Sequence, residues 1–130
     1  MNKQRILIVD DNAMIAKMMG VWLERTGNYE TLQENKPLLG VSAARRFKPD
    51  LVLLDVDMPG MTGPKVADAI RHDPFLEYTP ILFLTPLAGK AEAGRLGYKG
   101  PKFIPKPVSP AERIDHVAKA LAESHEEACR

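Results

Sequence analysis

Six polar residues stand at the ends of short apolar runs, and their types suit chemistry on phosphate. Asp10 and Asp11 follow RILIV, Asp55 follows LVLL with Asp57 two residues later, Thr85 follows ILFL, and Lys106 follows FIP. Two like charges about 4 Å apart repel by about 4 kcal/mol at an effective dielectric of about 20, so clustered aspartates ask for a cation or a shared proton. Carboxylates alone form an all-oxygen site, which favours magnesium or calcium. Few carboxylates, completed by water and a phosphate, is the magnesium pattern. Lys106 supplies a point charge suited to a phosphoryl oxygen, and Thr85 a hydroxyl donor.

The elements that must gather these residues follow from patterning. Residues 5–9, 50–54, 80–84 and 102–105 are apolar runs without polar alternation, as expected of strands buried on both faces of a parallel sheet. A weaker strand over 29–33 belongs near an edge. Between the first two runs Ile15, Met18, Met19, Trp22 and Leu23 form one helical stripe, and Gly27 sits where that helix stops. A second helix is predicted over 37–47, with Pro37 in its first turn and Leu39, Ala43, Ala44 and Phe47 inward, closed by Lys48-Pro49. A third follows Gly63-Pro64, turns Val66, Ala69 and Ile70 inward, and ends before Pro74.

The last helix carries the best start signal, with Ser109 and Glu112 at capping-box spacing and Pro110 at the first helical position. Ile114, Val117, Ala118, Leu121 and Ala122 form its face. Between Pro86 and Pro101 the glycines at 89, 94, 97 and 100 each cost a helix about 1 kcal/mol relative to alanine, which predicts a short or weak fourth helix. Strands alternating with helices give a doubly wound five-stranded α/β sheet with about five helices. In such sheets the functional crevice lies beyond the carboxyl ends of the strands, where all six polar residues fall. The first and third strands, as neighbours about 4.8 Å apart, would let Asp11 and Asp55 converge.

Composition bounds the class. The chain of 130 residues fits one domain with a core over about 5–121, and 45% hydrophobic with 27% charged residues is globular usage that excludes disorder and fibrous repeats. A net charge of +1 announces neither a nucleic-acid nor an acidic-membrane partner. One cysteine excludes an internal disulfide framework, and the apolar run at the N-terminus is cut off by two aspartates, so a cytoplasmic protein is predicted.

ILIVDDN, LVLLDVDMPGMTG, the Thr85 strand end and FIPKPV together resemble the receiver domain of two-component response regulators, in order and spacing, over about residues 5–121. The resemblance implies the strand order 2-1-3-4-5 and a phosphorylation switch. It makes Asp55 the phosphoacceptor, taking its phosphoryl group from a histidine kinase or histidine phosphotransfer protein. Asp11, Asp55 and the backbone carbonyl of Asp57 would bind magnesium directly, with Asp10 acting through water. Lys106 would contact the phosphoryl group, and its bond to Pro107 would be the cis peptide of that loop. Thr85 is the switch hydroxyl, and Phe103 the aromatic that turns inward with it. The chain looks like a stand-alone receiver or a receiver cut from a larger protein, and not an enzyme beyond its own phosphorylation and dephosphorylation.

Other readings compete. LVLLDVDM also resembles the Asp-x-Asp strand of haloacid dehalogenase-type phosphatases, but Asp10-Asp11 lie upstream of it and the chain is short. A flavodoxin-like cofactor carrier would place a phosphate loop where Asp10-Asp11 repel phosphate, and no P-loop or G-x-G-x-x-G is present. The third alternative is a receiver fold used as an interaction module without phosphorylation. Trp22 and the methionines at helical spacing read as core, and His125 with Cys129 at i, i+4 as surface rather than a metal site. Lys90, Arg95, Lys99, Lys102 and Lys106 against Glu92 leave a local excess of four positive charges. That excess reads first as a solvated face; the resemblance implies signalling through the face built from the fourth helix, fifth strand and fifth helix, where it would favour an acidic downstream partner. Pro86 departs from the family pattern, in which a small residue after the threonine donates its N–H to the phosphoryl group; proline has none.

Overall fold

A computed structural model describes residues 3–55, 63–86, 102–106, 117–119 and 121–122, with 84–86 and 102–106 described by their backbone. Five parallel strands, β1 (Gln4–Val9), β2 (Tyr29–Glu34), β3 (Leu51–Asp55), β4 (Ile81–Pro86) and β5 (Lys102–Lys106), form one sheet of order β2-β1-β3-β4-β5. This is the doubly wound arrangement expected of the apolar runs, with the weak strand at an edge. Ile6, Leu7, Ile8 and Val9 of β1, and Leu51, Val52, Leu53 and Leu54 of β3, are buried on both faces. Such continuous burial is why these runs lack polar alternation. Each such side chain contributes about 1.5–3 kcal/mol by leaving water.

Among the described residues the helices α1 (Ala13–Arg25), α2 (Gly40–Phe47) and α3 (Gly63–Arg71) cover the sheet. Asn12 caps α1, its side chain accepting the N–H groups of Met14 and Ile15 at 3.1 and 3.2 Å. Gly27 ends it with a φ of 82° that a side chain would disfavour, its N–H donating to the Glu24 carbonyl. The buried face of α1 is Ala16, Met19, Gly20 and Leu23, with Ile15 and Trp22 packed beside it. Met18, expected inside, is 45% exposed, because Gly20 lets the helix lie so close to β2 that a Cβ there would sit 2.2 Å from Gln33 Nε2. That close approach turns the small residues, rather than Met18, to the sheet.

The predicted second helix divides. Pro37–Leu39 is a 3₁₀ turn and the α-helix begins at Gly40, leaving Leu39 exposed while Ala43 and Ala44 are buried. Lys48 closes α2 in the left-handed conformation at φ 53°. In α3 the inward residues are Val66, Ala67 and Ile70, with Ala69 half-buried at the margin. Residues 117–119 and 121–122 are helical, and Val117 and Leu121 pack with Ile6, Ile8, Leu51, Leu53 and Leu82. Ala118 and Ala122 are exposed, since one residue turns about 100° around a helix and the buried stripe here is narrow. The capping signals Ser109, Pro110 and Glu112, the weak fourth helix, and His125 with Cys129 lie outside the described residues.

Candidate functional site

The site grows from the ends of two neighbouring inner strands, β1 and β3. β1 and β3 pair in parallel with Val9 opposite Leu54, so the residues that follow, Asp10 and Asp55, emerge side by side. Both are buried, Asp10 to 1% and Asp55 to 5% exposure, while Asp11 is exposed. One carboxylate oxygen from each of Asp10, Asp11 and Asp55 lies within 4.8 Å of the others. The backbone fixes this convergence: the Asp10 N–H donates to the Glu34 carbonyl at 3.1 Å, prolonging the β1–β2 ladder, and Asp10 Oδ1 accepts the N–H of Asn12 at 2.9 Å. α1 starts immediately afterwards, and its N-terminal dipole favours negative charge by about 0.3–1 kcal/mol.

Three carboxylates in one pocket, two of them buried, form an all-oxygen, strongly anionic donor set. That set fits a hard divalent cation such as magnesium. Asp57, the expected carbonyl ligand, lies outside the described residues, as does Pro107 with its expected cis bond. The register of β4 carries Thr85 one residue beyond Leu84, the partner of Asp55, and the register of β5 ends with Lys106 opposite Pro86. Thr85 and Lys106 thus lie at the same end of the sheet as the aspartates. The side chains of Thr85, Phe103 and Lys106 are outside the described part. Phe103 pairs with Phe83 in the register, near the middle of β4 rather than at the site end.

Sequence reasoning missed Asn12, although a cap residue directly before the first helical turn is a readable signal. It also missed Asp73, buried in the α3–β4 connection, 28 residues from its partner Arg45. No local pattern announces that pair.

A parallel sheet of this order, with carboxylates gathered at the C-terminal ends of β1 and β3, defines a flavodoxin-like α/β domain built around an acidic pocket. The chain belongs to the response regulator receiver domain family, whose model matches residues 6–118. It is 29% identical over 120 residues to the polar-differentiation response regulator DivK of Brucella anthropi, covering 92% of this chain and 97% of that protein. Among solved structures, the signal receiver domain of a signal transduction histidine kinase from Syntrophus aciditrophicus is 30% identical with a TM-score of 0.80, covering 92% of this chain and 91% of that one. The chemotaxis protein CheY4 of Vibrio cholerae is 26% identical with a TM-score of 0.79, covering 92% and 99%. The chain is therefore a receiver of the two-component type, homologous to phosphoacceptor response regulators. The phosphatase and cofactor-carrier alternatives give way to it. Among the described residues no helix is long and apolar enough to cross a membrane.

Proposed function

We propose that the chain is a single receiver domain that accepts a phosphoryl group on Asp55 with the help of magnesium and thereby alters a partner-binding face. The observation that carries the reading is the convergence of Asp10, Asp11 and Asp55 within 4.8 Å at the carboxyl ends of β1 and β3. Asp11 and Asp55, with the Asp57 carbonyl, would hold the ion, and Asp10 would act through water. When bound, magnesium supplies charge that screens the attack of one anion on another.

The chain's own residues do the rest. An Asp55 carboxylate oxygen forms a bond to phosphorus as the phosphorus–nitrogen bond of the donor phosphohistidine breaks, and the departing imidazole takes up a proton. The product is an acyl phosphate. Lys106 approaches a phosphoryl oxygen as a cation, and the Thr85 hydroxyl donates to another. The donor is a histidine kinase or histidine phosphotransfer protein. The downstream partner docks on the face formed by the fourth helix, β5 and the fifth helix, and the protein works in the cytoplasm. The chemistry is confined to its own phosphorylation and dephosphorylation.

Intact mass after incubation with a small phosphodonor tests this. Wild type gains one phosphoryl group with magnesium and none with chelator, and Asp55→Asn gains none while keeping its fold. Labelling that persists in Asp55→Asn, or that ignores chelator, overturns the assignment and favours the phosphorylation-independent module, a reading that Pro86 keeps in play.

A further inference from the structure

At the pole of the sheet opposite the acidic pocket, a cavity of 770 Å³ opens between the end of α2 and the segment 72–80, bordered by Arg45, Lys48, Pro49, Asp73, Phe75 and Leu76. A second cavity of 260 Å³ shares Pro49, Phe75 and Thr79 with it and reaches Tyr78. Phe75 and Tyr78 stand at these openings with 90% and 88% of their surface in water. They are not carried on a loose loop. Asp73 Oδ1 accepts the Phe75 N–H at 2.9 Å, and its Oδ2 is held by Arg45. The N–H groups of Leu76 and Thr79 donate to the carbonyls of Asp73 and Leu76, each at 3.0 Å. The backbone that carries the rings is held in hydrogen-bonded turns, so covering them costs side-chain ordering but little backbone ordering.

One patch thus carries both a protruding aromatic pair and a hollow beside it. A two-fold interface brings the same patch together from both sides, so a surface with its own knob and its own hole is complementary to itself. The charges agree. Arg45 and Asp73 neutralise each other within the protomer, which leaves Lys48 at the hollow and exposed Glu77 beside the aromatic pair, so a second copy meets both signs rather than a single repelling field. A partner of one strong charge would be matched by only part of the rim.

We infer that this pole is a two-fold interface between copies of this chain, in which Phe75 of each protomer enters the cavity lined by Leu76 and Lys48 of its partner. The patch is one connecting segment and one helix end, which fits a small, reversible interface. The acidic pocket, at the other end of the strands, stays open in both protomers.

Sedimentation equilibrium of the full chain from about 10 µM to about 1 mM tests the inference. The average mass of wild type rises toward that of a dimer. Phe75→Ser and Tyr78→Ser each weaken association at least tenfold with unchanged melting temperature, because both side chains are exposed in the monomer. In mixed samples of differently labelled wild type, isotope-filtered spectra show contacts from the Phe75 ring to Leu76 of the other copy. A wild type that stays monomeric throughout, a Phe75→Ser variant that associates as wild type does, or a dimer without the Phe75–Leu76 contact overturns it.

Discussion

The Asp10 carboxylate accepts the backbone N–H of Asn12 at 2.9 Å, and the side chain of Asn12 caps α1. The acidic pocket and the first helix are therefore joined through two residues. Asn12→Ala removes the acceptor for the Met14 and Ile15 N–H groups but keeps the N–H that Asp10 uses. It costs about 1 kcal/mol, or about 3–5 °C of melting temperature for a chain of this size, while labelling of Asp55 is retained. Asn12→Ser, which restores an acceptor, recovers most of the loss. Thermal melts of the two variants check this, and equal melting of Asn12→Ala and wild type would refute the cap's contribution.

Convergent carboxylates also imply that the metal-free fold holds stored repulsion. Asp11→Asn removes one charge from the trio while keeping an oxygen. Because Asp11 is exposed, solvent screens it, and the relief is about 1 kcal/mol rather than the several that buried charges would give. With chelator present, Asp11→Asn and Asp11→Ala both melt higher than wild type. Magnesium raises the melting temperature of wild type most, of Asp11→Asn less, and of Asp11→Ala least. Metal-free melting at or below that of wild type in both variants speaks against a clustered site.

Asp73 brings an acid-sensitive element far from that pocket. The side-chain hydrogen bond from Arg45, and then the backbone N–H of Phe75, hold its carboxyl below the ordinary carboxylate range, against the opposing effect of burial. A group whose pKa is lower in the folded state stabilises fully above its unfolded value, about 3.9. That contribution is lost as pH falls from there through the folded value. Melting curves between about pH 7 and pH 3 should show wild type losing stability more steeply than Asp73→Asn below about pH 4. Parallel curves would show that the Arg45–Asp73 pair does not couple to folding.

Legibility in the sequence followed the range of the signal. Asp10, Asp11 and Asp55 were readable because each stands within two residues of the end of an apolar run, and a chain leaving a buried strand delivers its next residues to one end of the sheet. The strand order needed the family resemblance. For α1, hydrophobicity ranks Met18 above Ala16 and Gly20, yet the helix presses Gly20 against Thr31 and Gln33 of an edge strand, a contact visible only once β2 is in place. Leu39 was misjudged because apolar periodicity does not distinguish a 3₁₀ turn from the first turn of an α-helix. Arg45 and Asp73 belong to different crossovers, and only the packing of α2 beside α3 joins them.

Pro86 offers the sharpest test of how the switch is built. β4 runs to this residue, which pairs with Lys106 in the register, so the chain delivers a proline beside the end of the strand that carries the expected phosphate-binding lysine. In the receiver pattern the residue after the switch threonine donates its backbone N–H to the phosphoryl group, and proline has none to donate. A hydrogen bond to a charged group contributes about 1.5–3 kcal/mol. Its absence lowers the bias of the phosphorylated state toward the switched arrangement by about 10- to 150-fold. In the proposed mechanism attack by Asp55 does not use that N–H, so the expected outcome is that modification proceeds while the response of the Thr85 segment stays partial. With beryllofluoride and magnesium, wild-type amide shifts around Thr85 and Phe103 should stop part-way between free and fully switched positions, and Pro86→Ala should carry them further. A complete shift in wild type, with nothing added by the alanine, would show that the missing donor is replaced by another group and that Pro86 does not limit the switch.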